Sequence, residues 1–213
     1  MKITNYEKQK HNEEKLNVFV DGEYKFAISI NGWTKNLLYV DKEITEKEIE
    51  DILEKDKKEL ALNKAFKIVS NGLKTRKEVE KKLKEKGFEE NDINYAIDKI
   101  IGYGYINDEY YVKCYILERA IPNKWGENKI LSNLLQKGID KEIILNGISN
   151  YLEDDIEYKN AYAFGIKKYN NVNKTKYSAI QIKQKIVSSL IAKGYNYEIA
   201  NRVLNDILKN NDE

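Results

Sequence analysis

The chain has 213 residues, with 37 lysine and arginine residues against 35 aspartate and glutamate residues, so its net charge is only +2. A single cysteine excludes an intramolecular disulfide framework and any zinc site built from several cysteines. No apolar run approaches the ~20 residues of a bilayer-spanning helix, and the first residues are polar where a secretory signal turns apolar. We therefore expect a cytoplasmic protein without a membrane-embedded segment.

The first 45 residues have the pattern of a small β element. Apolar and polar residues alternate on both sides of Asp21-Gly22, and this alternation places each apolar set on one face of a strand. Asp-Gly supplies the positive φ angles of a two-residue hairpin turn. The sequence therefore predicts a hairpin at about 15–30, joined by a strand at 2–9, within a β element at 1–45.

From Thr45 onward the pattern is helical. Pro122 is the only proline, so long stretches of the chain are free to form helices. We predict a connecting helix at 46–57 and single N-caps at Asp140 and Asn196. Other helix starts are marked by capping boxes, in which a Ser or Thr and the residue three positions later cap each other. These pairs are Thr45 with Glu48, Thr75 with Glu78, and Ser178 with Gln181.

An internal repeat carries most of the information in the chain. It aligns on Gly87, Gly138 and Gly194, each preceded by lysine and followed by an apolar residue. The positions eight and four residues before each glycine are apolar, and so are the positions six and ten residues after it. The first two positions lie on one face of a helix that ends at the glycine, which readily adopts the left-handed conformation. The other two lie on one face of the next helix.

The spacing of these glycines predicts the number of helices in each repeat. Successive glycines are 51 and 56 residues apart, and two short helices fill only about half of that length, so each unit needs a third helix. The predicted units are 58–107, 108–154 and 155–213. The predicted fold is mainly α, with three tandem three-helix repeats in an elongated, curved arrangement, preceded by the small N-terminal β-hairpin or sheet.

The search for catalytic chemistry finds little. The sole histidine, His11, lies in a polar stretch without a candidate partner, and no phosphate-binding loop is present. The acidic residues at 153–157 could hold a divalent metal ion, as in a metal-dependent nuclease, but acidic residues near a helix start also offset the helix dipole. We therefore expect no enzyme, no catalytic residue, no metal site and no cofactor, and the nuclease remains an alternative supported only by this acidic cluster.

The distribution of charge is the positive signal for function. The stretch 158–197 holds eight lysines and no acidic residue, and 64–86 holds nine basic residues against three acidic ones. Such runs attract polyanions, although many charge runs are simply solvated faces. Lysine predominates over arginine, which favours contacts that are indifferent to nucleotide sequence. Tyr162, Tyr169 and Tyr177 lie within the basic stretch and either stack on bases or pack against their own helices.

The repeat resembles the RecX family of bacterial regulators of the RecA recombinase. The resemblance rests on Lys74-Thr-Arg-Lys-Glu-Val79 with Leu83 and Lys86-Gly-Phe88, and on Gly104-Tyr-Ile-Asn-Asp108 with Tyr111. In the second repeat it rests on Arg119, Gly126, Ile130, Leu134 and Lys137-Gly-Ile139. It covers about residues 60–210 and is strongest from 74 to 139. The third repeat matches mainly through its Lys-Gly-aromatic signature.

This resemblance implies a function. Proteins of this family are tandem three-helix modules that lie in the groove of a RecA filament on single-stranded DNA and restrain ATP hydrolysis and strand exchange. Many weak contacts along a polymer then replace a single strong site. We expect a monomer that binds this filament and makes at most weak direct contact with DNA. The alternative is a sequence-independent DNA-binding module that acts without RecA. Charge density selects the candidate contacts: Lys74, Arg76, Lys77, Lys81, Lys167, Lys168, Lys174, Lys176 and Lys183.

Overall fold

The computed structural model describes residues 1–10, 12–173 and 175–210, so His11 and the candidate contact Lys174 lie outside the described residues. The chain begins with a three-stranded antiparallel sheet in the order β1-β2-β3. Ten helices follow the sheet in the described part of the chain. The strands are β1 (Ile3–Gln9), β2 (Asn12–Val20) and β3 (Glu23–Ser29). The helices are α1 (Ile30–Lys35), α2 (Glu46–Val69), α3 (Arg76–Lys84), α4 (Glu90–Gly102), α5 (Asp108–Tyr115), α6 (Glu127–Gln136), α7 (Lys141–Tyr151), α8 (Asp154–Asn171), α9 (Ala179–Lys193) and α10 (Tyr197–Lys209).

The predicted hairpin is confirmed. Asp21 and Gly22 both have positive φ angles, 51° and 89°, as a type I′ turn requires, and they connect β2 to β3. The strand β1 pairs with the other edge of β2. The apolar side chains on one face of the sheet are buried together with Leu38, Ile44 and Ile49. The alternating apolar residues of the sequence therefore form the core of this element.

The chain forms two compact units. The first contains Met1–Gly72 and Val79–Tyr105, and the second contains Leu73–Glu78 and the described residues from Ile106 onward. Within the first unit, the buried Asp56 carboxylate of α2 accepts a hydrogen bond from the Ser29 backbone N–H (2.9 Å) at the end of β3, and a second from the Ser29 hydroxyl. This pair of hydrogen bonds ties the sheet to α2.

The helix α2 extends further than the sequence pattern indicates. Residues 46–57, expected as a connecting helix, and the first helix of the first repeat form one uninterrupted helix of 24 residues. No glycine or proline interrupts this segment, so nothing in it favours a break at 57/58. The corresponding helix of the second repeat, α5, instead continues into a π-helical turn over Ile116–Ala120.

The three-fold repeat is present in the structure. Gly87, Gly138 and Gly194 have φ angles of 82°, 79° and 101°, so each turn has the left-handed conformation that glycine adopts most readily. The aligned apolar positions before and after each glycine are buried. The capping boxes and the N-caps at Asp140 and Asn196 are also present. No described helix combines the length and apolar character needed to cross a membrane.

Candidate functional site

The candidate basic residues fall into two groups on different helices. The first group lies on α3 and in the turn before it, and the second lies on α8, on α9 and in the turn between them. Lys74 is half-buried, and the other described members of both groups are exposed. The first group is Lys74, Arg76, Lys77 and Lys81, and the second is Lys167, Lys168, Lys176 and Lys183, with Lys174 outside the described residues.

The start of α3 is held against the Lys-Gly turn of the second repeat. The Thr75 hydroxyl donates to the Lys137 carbonyl oxygen (2.9 Å), and the Lys77 ammonium donates to the Gln136 carbonyl oxygen (3.1 Å). The Lys137 ammonium pairs with the Glu78 carboxylate. We call this contact of 75–78 with 136–138 the first junction. It gives Lys77 a structural role within the chain.

The first junction is electrostatically balanced. Burial opposes the charge of Lys137, but hydrogen bonds to Glu78 and Tyr111 outweigh it and raise the pKa of that ammonium. Burial likewise opposes the charge of Glu78, yet the ammonium of Lys137 and the Thr75 backbone N–H lower the pKa of the carboxyl. The Lys137 ammonium also lies 5.6 Å from the centre of the Tyr111 ring. Both groups are therefore held in their charged forms.

The tyrosines of the basic stretch 158–197 pack against their own repeat. Tyr162, Tyr169 and Tyr177 are half-buried against the core of the third repeat, as the packing interpretation predicts. The ammonium of Lys185 lies 4.2 Å and that of Lys176 5.6 Å from the centre of the Tyr177 ring. The electronegative face of this ring attracts both ammonium groups, so two positive charges are held beside it.

A second junction joins the second and third repeats. The Gly126 N–H donates to the Lys193 carbonyl oxygen (3.1 Å), and the Asn128 N–H donates to the Gly194 carbonyl oxygen (3.0 Å). A side chain on Gly126 would meet the Gly194 backbone at 2.5 Å. We define the second junction as the contact of 124–129 with 193–195. It corresponds to the first junction one repeat further along the chain.

Four lysines come together at the second junction, and we call them the lysine cluster: Lys124, Lys129, Lys168 and Lys193. The Lys129 ammonium lies 5.3 Å from the centre of the Trp125 ring, and those of Lys168 and Lys193 lie 5.5 and 5.2 Å from the centre of the Phe164 ring. Burial lowers the pKa of Lys193, and the positive charges of Lys129, Lys168 and Lys124 lower it further. Three of its members, Lys124, Lys129 and Lys193, are half-buried and Lys168 is exposed, so the cluster concentrates positive charge at the junction.

Charge density along the sequence selected only Lys168 from the lysine cluster. Lys124 and Lys129 were missed because they lie in a segment whose acidic residues outnumber its basic ones. The repeat alignment holds a signal that could have found Lys129, since it occupies the position that Glu78 occupies one repeat earlier. Its proximity to Lys193 arises from tertiary packing.

The acidic cluster at 153–157 has a structural role at its last residue. Glu157 is buried, and its carboxylate accepts a hydrogen bond from the Glu127 backbone N–H (3.0 Å) at the start of α6. Burial raises the pKa of this carboxyl, and the neighbouring charges of Glu127 and Asp154 raise it further. Within the described residues, no group of three or more histidine, cysteine, aspartate or glutamate side chains is arranged to hold a metal ion.

Three segments of the chain match models of known protein domains. Residues 1–45 match the Regulatory protein RecX N-terminal domain, 61–99 match the first three-helix domain of RecX, and 155–204 match its third three-helix domain. The first segment contains the sheet, and the last contains most of α8, all of α9 and the start of α10.

Relatives resemble the chain over almost its whole length. A protein from Clostridium perfringens named Regulatory protein RecX is 36% identical over 209 residues, covering 98% of this chain and 97% of the relative. One of the same name from Clostridioides difficile is 35% identical, covering 97% and 95%. A crystal structure of regulatory protein RecX superposes with a TM-score of 0.73 at 23% identity over 96% of this chain and 98% of that one. The structure of RecX from Lactobacillus salivarius gives 0.63 at 29% identity over 71% and 97%.

Proposed function

This chain belongs to the RecX family, and from that premise we propose that it regulates RecA by binding in the groove of the RecA filament on single-stranded DNA. Occupying the groove restrains ATP hydrolysis and strand exchange. The observation that carries the proposal is the end-to-end match to relatives named Regulatory protein RecX, which includes the N-terminal domain as well as the helical repeats. The chain acts in the cytoplasm as a monomer, and it acts by binding rather than by catalysis.

The charge distribution supports a binding role. Both groups of candidate basic residues lie mostly at the surface, where long side chains reach a partner at little cost. Contacts distributed over three repeats, each of them weak, add up when their targets recur at regular intervals along a polymer. Lysine-rich contacts of this kind are salt-dependent and position the chain without reading nucleotide sequence.

The direct test measures ATP hydrolysis by RecA on single-stranded DNA while the chain is titrated in. We expect hydrolysis to fall at stoichiometric amounts of the chain. An unchanged rate and an unchanged filament length would contradict the proposal.

The contact assignment has its own test. The quadruple change of Lys167, Lys168, Lys174 and Lys176 to glutamate should weaken the inhibition, because it replaces positive charges at the proposed surface with negative ones. A matched control carries the same change in net charge on exposed lysines of the first unit: Lys8, Lys10, Lys47 and Lys55. If both variants inhibit equally well, the lysines of α8 and of the turn after it are not contacts.

A second candidate function is favoured by the basic stretch 158–197. With eight lysines and no acidic residue, this stretch alone could bind DNA phosphates without RecA. Binding to a single-stranded oligonucleotide distinguishes the two functions. Equal salt-dependent affinity with and without RecA favours the DNA-binding module, whereas affinity that depends on RecA favours the filament regulator.

A further inference from the structure

The two junctions join equivalent positions of successive repeats, through side-chain donors at the first and backbone N–H donors at the second, and they differ in side-chain charge. In each, the start of the second helix of one repeat contacts the Lys-Gly turn of the next repeat. The residue nine positions before the aligned glycine is Glu78 at the first junction and Lys129 at the second. The lysine before the glycine thus finds a carboxylate at the first junction and an ammonium at the second.

The surroundings of the two turn lysines are otherwise alike. Lys137 lies over the Tyr111 ring at 5.6 Å, and Lys193 lies over the Phe164 ring at 5.2 Å. Both lysines are half-buried. What the second junction lacks is a carboxylate paired with its turn lysine, as Glu78 is paired with Lys137 at the first.

The lysine cluster lies near acidic side chains without pairing with them, because Glu127 and the buried Glu157 meet at the start of α6. None of its four ammonium groups makes an ion pair within the described part of the chain. Lys124, Lys129 and Lys193 are half-buried, so water screens their mutual repulsion less than at an open surface. Such an arrangement becomes more stable when an anion enters it.

We propose that the lysine cluster binds a carboxylate side chain of a protein partner, in the role that Glu78 plays at the first junction. The first junction demonstrates that a glutamate side chain fits at this position. There Glu78 lies at the start of α3 and pairs with Lys137, which lies over the Tyr111 ring. A nucleotide fits less well, because the lysine ammonium groups already lie against the rings of Trp125 and Phe164 on which a base would stack. That the partner is a RecA protomer rests on the proposed function, whereas the carboxylate site itself does not.

The first experiment supplies the carboxylate from within the chain. Lys129→Glu should pair with Lys193 and raise the thermal midpoint of the full chain by about 2–4 °C. Because glutamate near a helix start is also favourable by itself, the gain must be measured in a double-mutant cycle with Lys193→Gln. Most of the gain should vanish in the double variant. A gain that persists without Lys193 overturns the proposed site.

The second experiment supplies the carboxylate from outside. Adding a hexaglutamate peptide should raise the thermal midpoint of the unmodified chain and leave that of Lys129→Glu unchanged. The matched control is Lys159→Glu, which makes the same charge change at an exposed position of α8 outside the cluster. This control should respond to the peptide as the unmodified chain does. Equal responses of all three proteins contradict the site. Should Lys129→Glu fold poorly, Lys129→Gln removes the charge with less disturbance and should also reduce the response.

The third experiment identifies the partner class. Lys129→Glu should bind RecA filaments about tenfold more weakly than Lys159→Glu does, while its affinity for a naked single-stranded oligonucleotide should match that of Lys159→Glu. An equal loss on the naked oligonucleotide means that the cluster binds phosphate, and this overturns the proposal. If no variant binds RecA filaments but the hexaglutamate response remains, the proposed function fails and the carboxylate site stands.

Discussion

At the scale of single residues, Glu157 caps a helix with a carboxyl group whose charged form is disfavoured by burial. It accepts a hydrogen bond from the first N–H of α6, but burial and the nearby charges of Glu127 and Asp154 raise its pKa. A carboxyl whose pKa is higher in the folded chain stabilises the fold most when it is protonated. Its contribution is complete below the unfolded pKa of about 4.3 and is lost as the pH rises through the folded value.

Glu157→Gln should therefore stabilise the chain at neutral pH. The amide oxygen still accepts the hydrogen bond from Glu127, and no charge has to be buried. Thermal midpoints measured between pH 4 and pH 8 should converge at the acidic end and separate at the neutral end, with the glutamine variant higher. A variant that is less stable than the unmodified chain at pH 7 would contradict this account of the carboxyl.

The three aligned glycines carry the same φ requirement in different surroundings. A side chain at Gly194 would lie 2.3 Å from the Lys129 Cβ, whereas a side chain at Gly87 would meet no atom within 4 Å. Both positions need the left-handed conformation, which costs an alanine about 1–2 kcal/mol.

Gly194→Ala should accordingly destabilise the chain far more than Gly87→Ala. The first change adds a clash in the second junction, typically ~1–3 kcal/mol, to the backbone strain that both share. Urea unfolding of the two variants measures the difference directly. Equal losses of unfolding free energy would show that the neighbouring atoms of Lys129 move away from a side chain at position 194 without a cost in stability.

At the scale of elements, two helix starts with the same kind of capping box differ in their other hydrogen bonds. The Thr75 hydroxyl accepts from the Glu78 N–H and also donates to the Lys137 carbonyl oxygen across the first junction. The Ser178 hydroxyl accepts from the Gln181 N–H at an exposed position.

Thr75→Ala should lower the unfolding free energy by about 2 kcal/mol and Ser178→Ala by about 1 kcal/mol, because the first loses a cap and a buried hydrogen bond and the second loses a cap alone. Chemical denaturation of both variants checks the ratio. Thr75→Ser, which keeps the hydroxyl, should recover most of the loss. Equal losses for the two alanine variants would mean that the bond across the junction contributes nothing.

Local signals in the sequence predicted much of this fold. The Asp21-Gly22 turn, the capping boxes and the glycine-aligned faces depend on residues within a few positions of one another, and the structure confirms them. The π-helical turn at Ile116–Ala120 has no local signal in the sequence. The continuity of α2 was missed although the segment holds no glycine or proline that would end a helix. The lysine cluster was missed because its members come from three helices and a loop.

At the scale of the whole molecule, a net charge of +2 conceals a strong imbalance. Residues 1–62 carry more acidic than basic side chains, while 158–197 carries lysines alone among its charged residues. Exposed charges of this kind act over about 10 Å at moderate salt and are screened beyond it. The affinity for a charged polymer therefore depends on the basic stretch and not on the overall balance.

The proposed inhibition of RecA should accordingly weaken as salt is raised. The concentration of the chain that halves ATP hydrolysis should increase steeply with potassium chloride, and less steeply for the variant with Lys167, Lys168, Lys174 and Lys176 changed to glutamate. The RecA rate without the chain at each salt concentration is the control. An identical salt dependence for the two proteins would show that these lysines do not take part in the charged contact.

The opposite charges at corresponding positions of the two junctions also give the chain an order of opening. An ion pair closes the first junction, whereas like charges face each other at the second. The ion pair adds to the free energy needed to part the first junction, whereas the repulsion of like charges reduces that free energy at the second. In hydrogen exchange the amides of Asn128 and Gly126, which bridge the second junction, should lose protection early. Binding of an acidic partner there would neutralise the repulsion, so the contact between the second and third repeats would be most stable when the partner is bound.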